Sequence, residues 1–460
     1  MYADGSMSEI SLQGLSGDQP ADFPASLQGF SGNQPAVFPV SSQGVAGDQP
    51  AVFSASLQGV SGDQPTDFPA SLQRVSGNAD LLLEILLRLP PKSLLRFQAV
   101  CKDWFSIISS RTFRQLHCRR KLTSGKVDGL FFCWWVYGNN YVDFIPLNGI
   151  PKKQRGMIPS ALKNIANSTS SKIEQLHSCN GLFCISFNLG IENLDYYVYN
   201  PSTNQHRLIP LPYLGIKAYE IVVMNLAFDH MVSDCYKLVC VMKLNGVYEI
   251  SVYSSETEVW RGCMDMEMEM LNQHCLGQGV FLNGCMHWVS EISSFLRFDL
   301  DLMCFRDMPS TDIPVGVLKR SIRYFGESGG HLHLIEVHGL RSMSFEVLEM
   351  EIDYSKWFVK YRVDLSSLHT TYPLMLSEEL DLLDVNGRTC NVVSVVVNDK
   401  EDTTRFLVTT PDVILEYDAH LMTIKEVADV EIAKIPVIWE DVSVFEWYDT
   451  HQYVETMACV

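Results

Sequence analysis

The stretch from Asp80 to His117, DLLLEILLRLPPKSLLRFQAVCKDWFSIISSRTFRQLH, constrains this chain more than any other. Leu82, Ile85, Leu86 and Leu89 recur at i, i+3, i+4 and i+7, the spacing of one apolar helical face. Leu81, Leu83 and Leu87 load a second face, and Glu84 and Arg88 carry the charges. A short surface helix needs one apolar face. A helix with two is expected to bury the first in its own domain and the second in a partner. Pro90 and Pro91 stop it, because proline lacks the amide donor and disfavours helix in the residue before it. Further helical runs are expected over Ser93–Cys101 and Trp104–Ile108. The basic cluster Arg114, Arg119, Arg120 and Lys121 fits a solvated helix end, where cations favour the C-terminal dipole.

Before this stretch the chain repeats itself every fifteen residues: SLQGLSGDQPADFPA, SLQGFSGNQPAVFPV, SSQGVAGDQPAVFSA, SLQGVSGDQPTDFPA, and a fifth copy beginning at Ser71. The unit is too rich in Gly and Pro for a helix and too short for a helical hairpin. Its few apolar residues do not offset an ordering cost of roughly 1–2 kcal/mol per residue. Residues 1–77 are therefore expected to be a disordered tail. A stacked solenoid is the alternative, and near-identical units would raise avidity for any partner.

From Gly129 onward the texture becomes short strands between Gly, Asn, Asp and Pro turns. Gly-led apolar strands (NGLFCISF, GVFLNGCMHWVS, GGHLHLIEV) alternate with hairpins closing on an aromatic or proline (YYVYNPSTNQHRLIPLP, ISVYSSETEVWRG, LRFDLDLMCFRDMP, FEVLEMEIDYSKWFVKY), with VILEYDAHLMTIKEV a weaker last one. Tyr199, Tyr253, Phe298 and Leu348 fall roughly 45–55 residues apart, the period of a propeller blade. Turns such as N-P-S-T, S-S-E-T and L-D-L-M fit between paired strands. The expected architecture is mixed: a short helical domain over 78–124, then an all-β domain over 125–460. That domain is expected to be a β-propeller of about six blades, with GLFFCWWVYGNNYVDFIPL as the first. A large β-sandwich is the competing topology.

Composition narrows the function. A hydrophobic content of 47% supports a large core, and a net charge of −19 argues against nucleic acid and anionic membrane surfaces. No apolar run reaches the roughly 18–20 residues that span a bilayer. MYADGSMSEI has neither the basic nor the apolar region of a secretory signal. The 13 cysteines are scattered without a C-x-x-C pair, as expected of reduced thiols in the cytosol or nucleus; Cys179 with Cys184 and Cys235 with Cys240 fit buried strand positions. His331, His333 and His338 in HLHLIEVH lack partners at metal-ligand spacing and are expected to be strand histidines. MDMEMEM (264–270) alternates as an edge strand would. The N-S-T sequon at Asn167 matters only on a secretory route. No G-x-S-x-G elbow, P-loop, H-E-x-x-H or dinucleotide fingerprint occurs, so no catalytic residue, metal or cofactor is expected, and a sugar-modifying propeller enzyme or oxidase has no signal.

The opening stretch resembles the F-box. Its Leu89–Pro90, the run Lys92–Ser93–Leu94–Leu95–Arg96–Phe97, and Val100–Cys101–Lys102 followed by Trp104 match that family's pattern. SCNGLFCIS, YNPSTNQHRLIPLP, AFDHMVSDCYKLVCV, VYSSETEVW, GVFLNGCMHWV and FEVLEMEIDYSKWFVKY resemble the kelch-related F-box-associated domain of plant F-box proteins. The two resemblances cover Asp80 to Tyr361 well. They imply a non-catalytic substrate receptor of a Skp–cullin–F-box ubiquitin ligase, whose helices dock on a Skp-type adaptor and whose β domain captures a protein for ubiquitination. On that reading Leu82, Ile85, Leu86, Leu89, Pro90, Leu94, Leu95, Val100, Cys101 and Trp104 supply the adaptor-facing surface and the small core beneath it. Trp104 is either the anchor or the lock of the third helix. Where the family has Leu-Pro ahead of the first helix, this chain has Gly77–Asn78–Ala79. That departure leaves a second reading, a stand-alone interaction propeller that no longer recruits the ligase.

Overall fold

The computed structural model describes residues 79–125, 127–136, 139–147, 172–190, 193–213, 215–266, 277–289, 295–311, 320–338, 344–372, 390–398, 403–410, 413–429 and 449–460. The fifteen-residue repeats, Gly77 and Asn78, the sequon at Asn167, and 267–270 of the acidic run lie outside them.

Four helices come first: α1 Ala79–Leu86, α2 Pro91–Phe97, α3 Lys102–Ser109 and α4 Arg111–Leu122. α1 is one turn shorter than its apolar spacing predicts. After Leu86 the ladder tightens, with Arg88 N–H on Ile85 O and Leu89 N–H on Leu86 O, both 3.1 Å. Pro90 then stands extended (φ −67°, ψ 151°) ahead of α2, and Pro91 takes its first position, where no amide donor is needed. Ser110 caps α4 by accepting Phe113 N–H at 3.2 Å.

The remaining strands form six sheets. Five are antiparallel four-stranded meanders: β3–β6 (Lys172–Cys179, Leu182–Gly190, Asn193–Asn200, Gln205–Ile209), β7–β10 (Ile221–Phe228, Tyr236–Leu244, Val247–Ser254, Val259–Met266), β11–β14 (Val280–Leu282, Cys285–Val289, Phe295–Asp299, Cys304–Arg306), β15–β18 (Arg320–Ser328, His331–His338, Ser344–Met350, Trp357–Asp364) and β19–β22 (Asn391–Asn398, Thr403–Thr409, Val413–Asp418, Thr423–Asp429). The sixth pairs β1 (Gly129–Val136) with β2 (Asn139–Pro146) on one side and β23 (Thr450–Tyr453) on the other. The first strands of the five meanders pack side by side in order, and β23 sits between β19 and β3. The fold is thus a six-bladed propeller. Its last blade takes its innermost strand from the far end of the domain. The segment GLFFCWWVYGNNYVDFIPL is two strands of this shared blade, numbered sixth here.

Alternation along each strand feeds the two neighbouring blades. On β1, Leu130 and Phe132 pack against Val393, Leu407 and Ile414 of blade five, whereas Phe131 packs against Phe183, Ile185 and Tyr199 of blade one. Burying each such side chain contributes roughly 1.5–3 kcal/mol.

The link between third and fourth strands recurs as a five-residue turn: Asn200–Asn204, Ser254–Glu258, Asp299–Met303 and Asp418–Met422. Its first side chain accepts amides two or three residues on, such as Ser202 N–H at 2.8 Å and His420 N–H at 2.9 Å. Its last residue sits at positive φ: Asn204 60°, Glu258 58°, Met303 55° and Met422 51°. Only one of the four is an asparagine. Met422 is 75% exposed and packs nothing, so Met422→Gly is expected to raise stability by about 0.5–1 kcal/mol by relieving left-handed strain. A denaturant titration checks this; a lower midpoint would refute it.

Candidate docking surface

The helical domain hides part of the expected surface and shows part. Leu82, Leu86 and Leu94 are buried, and with Ile108 and Phe113 they form the domain's own core. These three are thus the members of the expected set that supply the small core rather than the surface above it. Leu89, Leu95 and Trp104 are half-buried against the same core, and the Trp104 ring meets Phe97 edge-on at 5.2 Å. Ile85, Pro90, Val100 and Cys101 are exposed.

The two apolar faces of α1 divide differently from the i, i+3, i+4, i+7 assignment. Leu82 and Leu86 point inward and Leu81 and Ile85 outward. Val100 at 59% exposure and Phe105 at 55% add to Leu81 at 50% and Ile85 at 45%. Four large apolar side chains in water on so small a domain form the kind of surface that partners cover. Phe105 was not among the residues singled out from sequence; its place one residue after Trp104, on the opposite side of α3, is the signal that marks it.

Arg119 and Arg120 of the basic cluster on α4 are exposed, and the cluster also finds polar partners. Arg120 and Arg88 both reach Glu84 Oε1, at 3.0 and 2.7 Å, and those two hydrogen bonds hold its carboxyl below the usual range. Arg119 donates to Met231 O at 3.4 Å, Arg114 to Cys459 Sγ at 2.6 Å and Lys121 to Asp128 Oδ1 at 3.0 Å, while Arg111 pairs with Asp234. Most of these bonds cross from helices to propeller. Buried His117 donates from Nε2 to Leu89 O at 2.9 Å, tying α4 to the end of α1.

On the propeller, a cavity of about 480 Å³ is lined by Leu122 and Thr123 at the end of α4 and by the turns at Asn180, Asp229, Asn283 and Gly329. The first-to-second-strand turns therefore face the helices. Because strands alternate in direction, the fourth strands end and the first strands begin at the opposite rim. Deeper in the channel, His177 accepts Leu226 N–H at Nδ1 (3.0 Å) and donates from Nε2 to Gly279 O (2.7 Å). Gln278 donates to His451 Nε2 at 3.1 Å and to Leu176 O at 3.0 Å. Burial pushes His177 down to about 4 and His451 to about 3.

The strand histidines serve a local network. His333 Nε2 donates to Glu349 Oε2 at 2.9 Å, Lys360 pairs with the same oxygen, and His331 lies 3.7 Å from the other. Among the described residues no group of three or more potential ligands could hold a metal ion. No helix of the described residues is long and apolar enough to cross a membrane.

Four short helices ahead of a six-bladed propeller are the two parts of the chain that family models match. A family model described as "F-box domain" matches residues 79–116, and one described as "F-box associated beta propeller domain" matches residues 150–310. The two matches place an F-box domain and an F-box-associated propeller domain in this chain, and the relatives it is similar to are plant F-box proteins. It is 28% identical over 404 residues to F-box protein At5g07610 of Arabidopsis thaliana, covering 83% of this chain and 92% of that one. F-box protein At5g49610 of the same plant is 26% identical over 64% of this chain and 80% of its own. F-box/kelch-repeat protein At3g23880 is 22% identical over 50% and 64%.

Proposed function

We propose that this chain is the substrate-recognition subunit of a Skp–cullin–F-box ubiquitin ligase. The observation that carries the reading is the exposed apolar set Leu81, Ile85, Val100 and Phe105, which the helical domain's core leaves in solvent. A Skp-type adaptor would cover that set. On this reading Pro90, Cys101 and the half-buried Leu89, Leu95 and Trp104 contribute to the same docking surface. The propeller holds the protein to be modified at the rim opposite the helices, where the first strands of the blades begin. The receptor contributes proximity rather than bond chemistry, raising the effective concentration of target lysines beside the loaded conjugating enzyme.

The test is a titration of the full chain with a recombinant Skp-type adaptor. Wild type is expected to bind. Ile85→Asp and Phe105→Asp each place a charge in the desolvated patch and are expected to weaken binding at least thirtyfold, about 2 kcal/mol, with the propeller's melting transition unmoved. Variants that bind like wild type would place the docking surface elsewhere. A wild-type chain that does not bind would leave the stand-alone propeller as the function.

A further inference from the structure

We infer that residues 454–460 complete the docking unit, with Met457 acting as a core residue of the helical domain. This rests on the adaptor-recruiting reading above and names a positioning residue for it. Met457 is 2% exposed and packs among Leu82, Leu86, Leu94, Ile108 and Phe113. Its neighbour Ala458 faces the other way, into the core of blades one and two, where it meets Cys118 of α4. An extended segment with alternating side chains therefore gives one to the helices and the next to the propeller.

Polar bonds fix this segment on the propeller side. Buried Asn200 donates through Nδ2 to Thr456 O at 3.2 Å and Ala458 O at 2.8 Å. Ser202 Oγ accepts Thr456 N–H at 2.9 Å, and Asp128 Oδ2 accepts Glu455 N–H at 2.9 Å. Gly181 at φ +87° makes room: a Cβ there would stand 2.6 Å from both Val454 O and Thr456 Cγ2. The equivalent turns begin with Ser254, Asp299 and Asp418, which accept the turn amides equally well. Asp299 and Asp418 have no donor and the Ser254 hydroxyl has a single one, whereas the Asn200 amide accepts through Oδ1 and donates twice from Nδ2 to the passing backbone. The asparagine of blade one thus carries a second duty that its counterparts lack.

With α1, α2, α3 and α4 alone, the helical core has a hole where Met457 sits. Leu81 and Ile85 project from the helix whose inner face contacts that hole, so the docking surface is positioned through Met457.

Hydrogen exchange on the full chain, alongside the adaptor titration, tests this. In Met457→Asp, amides of α1–α4 are expected to exchange at least tenfold faster while blades three to five keep their protection, and adaptor affinity is expected to fall at least tenfold. Met457→Leu restores both. Asn200→Asp keeps the turn and loses the donors, and is expected to shift both readouts in the same direction by about threefold. Should Met457→Asp loosen every blade, Met457→Ala takes its place with the same criteria. Unchanged helix protection overturns the inference, as does lost protection with unchanged affinity. A wild-type chain without adaptor affinity overturns the functional reading instead, and helix exchange alone then decides the role of Met457.

Discussion

Thermal melts of this chain are expected to lose stability steadily as the pH is lowered from about 6.5 to 4. Three buried histidines drive the loss. Burial depresses His177 and His287 to about 4 and His451 to about 3. In the unfolded chain each takes up its proton near pH 6.5. A folded pKa below the unfolded one gives stability that is complete above 6.5 and lost on acidification, by about 1.4 kcal/mol per pH unit per histidine. The geometry shows why the folded protein resists the proton. His177 Nδ1 accepts Leu226 N–H, and His451 Nε2 accepts from Gln278. A protonated ring has no acceptor, so charging either one breaks a tie between blades. His287 donates from Nδ1 to Val280 O at 3.1 Å and stacks on Tyr354, whose ring also carries Arg297. His177→Gln is expected to remove one histidine's share of the slope. A flat profile between pH 6.5 and 4.5 would contradict the assignment, since normal carboxylates titrate lower.

Glu349→Ala is expected to cost about 3–5 kcal/mol, the usual penalty for removing one member of a buried charged pair. The Glu349 carboxylate is 5% exposed. Burial opposes its charge, but hydrogen bonds from His333 and Lys360 outweigh that and draw its pKa down to about 2. Alanine leaves Lys360 and His333 facing a void. Glu349→Gln keeps an acceptor for His333 and is expected to recover roughly half of the loss. Chemical denaturation at pH 7 measures both variants. The pH window separates this group from the histidines: its stabilisation is present above about 4.5 and disappears as the pH falls toward 2. An alanine variant within 1 kcal/mol of wild type would show that the network is a surface pair of little weight.

Much of the propeller is legible in the sequence because its repeating unit is local. The N-P-S-T, S-S-E-T and L-D-L-M strings are the third-to-fourth-strand turns of blades one to three. Tyr199, Tyr253 and Phe298 hold one position, buried on the third strand immediately before that turn. Leu348 is two residues out of phase; Met350 occupies the matching position in blade four, where a bulge lies between Val347 and Leu348. The closing strand Thr450–Tyr453 is invisible locally. It is four residues long, largely polar, and identified only by pairing with Phe131 and Phe132 far upstream. The helical domain repeats the lesson. Apolar spacing marks α1, but a helix apolar almost all round does not say which side faces inward. That choice was made by α3, α4 and Met457, none of which a window over α1 contains. The cations of α4 also have partners at Met231, Asp234 and Cys459, too far along the chain to be read locally.

The order in which a ribosome delivers this chain gives the distant placement of Met457 a consequence. All four helices emerge before the first blade is made, yet their core and the innermost strand of the sixth blade are both completed by residues 450–458. A nascent or broken chain lacking those residues has helices without a filled core and a ring without its last strand. Such a chain would lose order in the helical domain and in the ring together. One short stretch thus makes the packing of both the helical domain and the ring depend on residues 450–458.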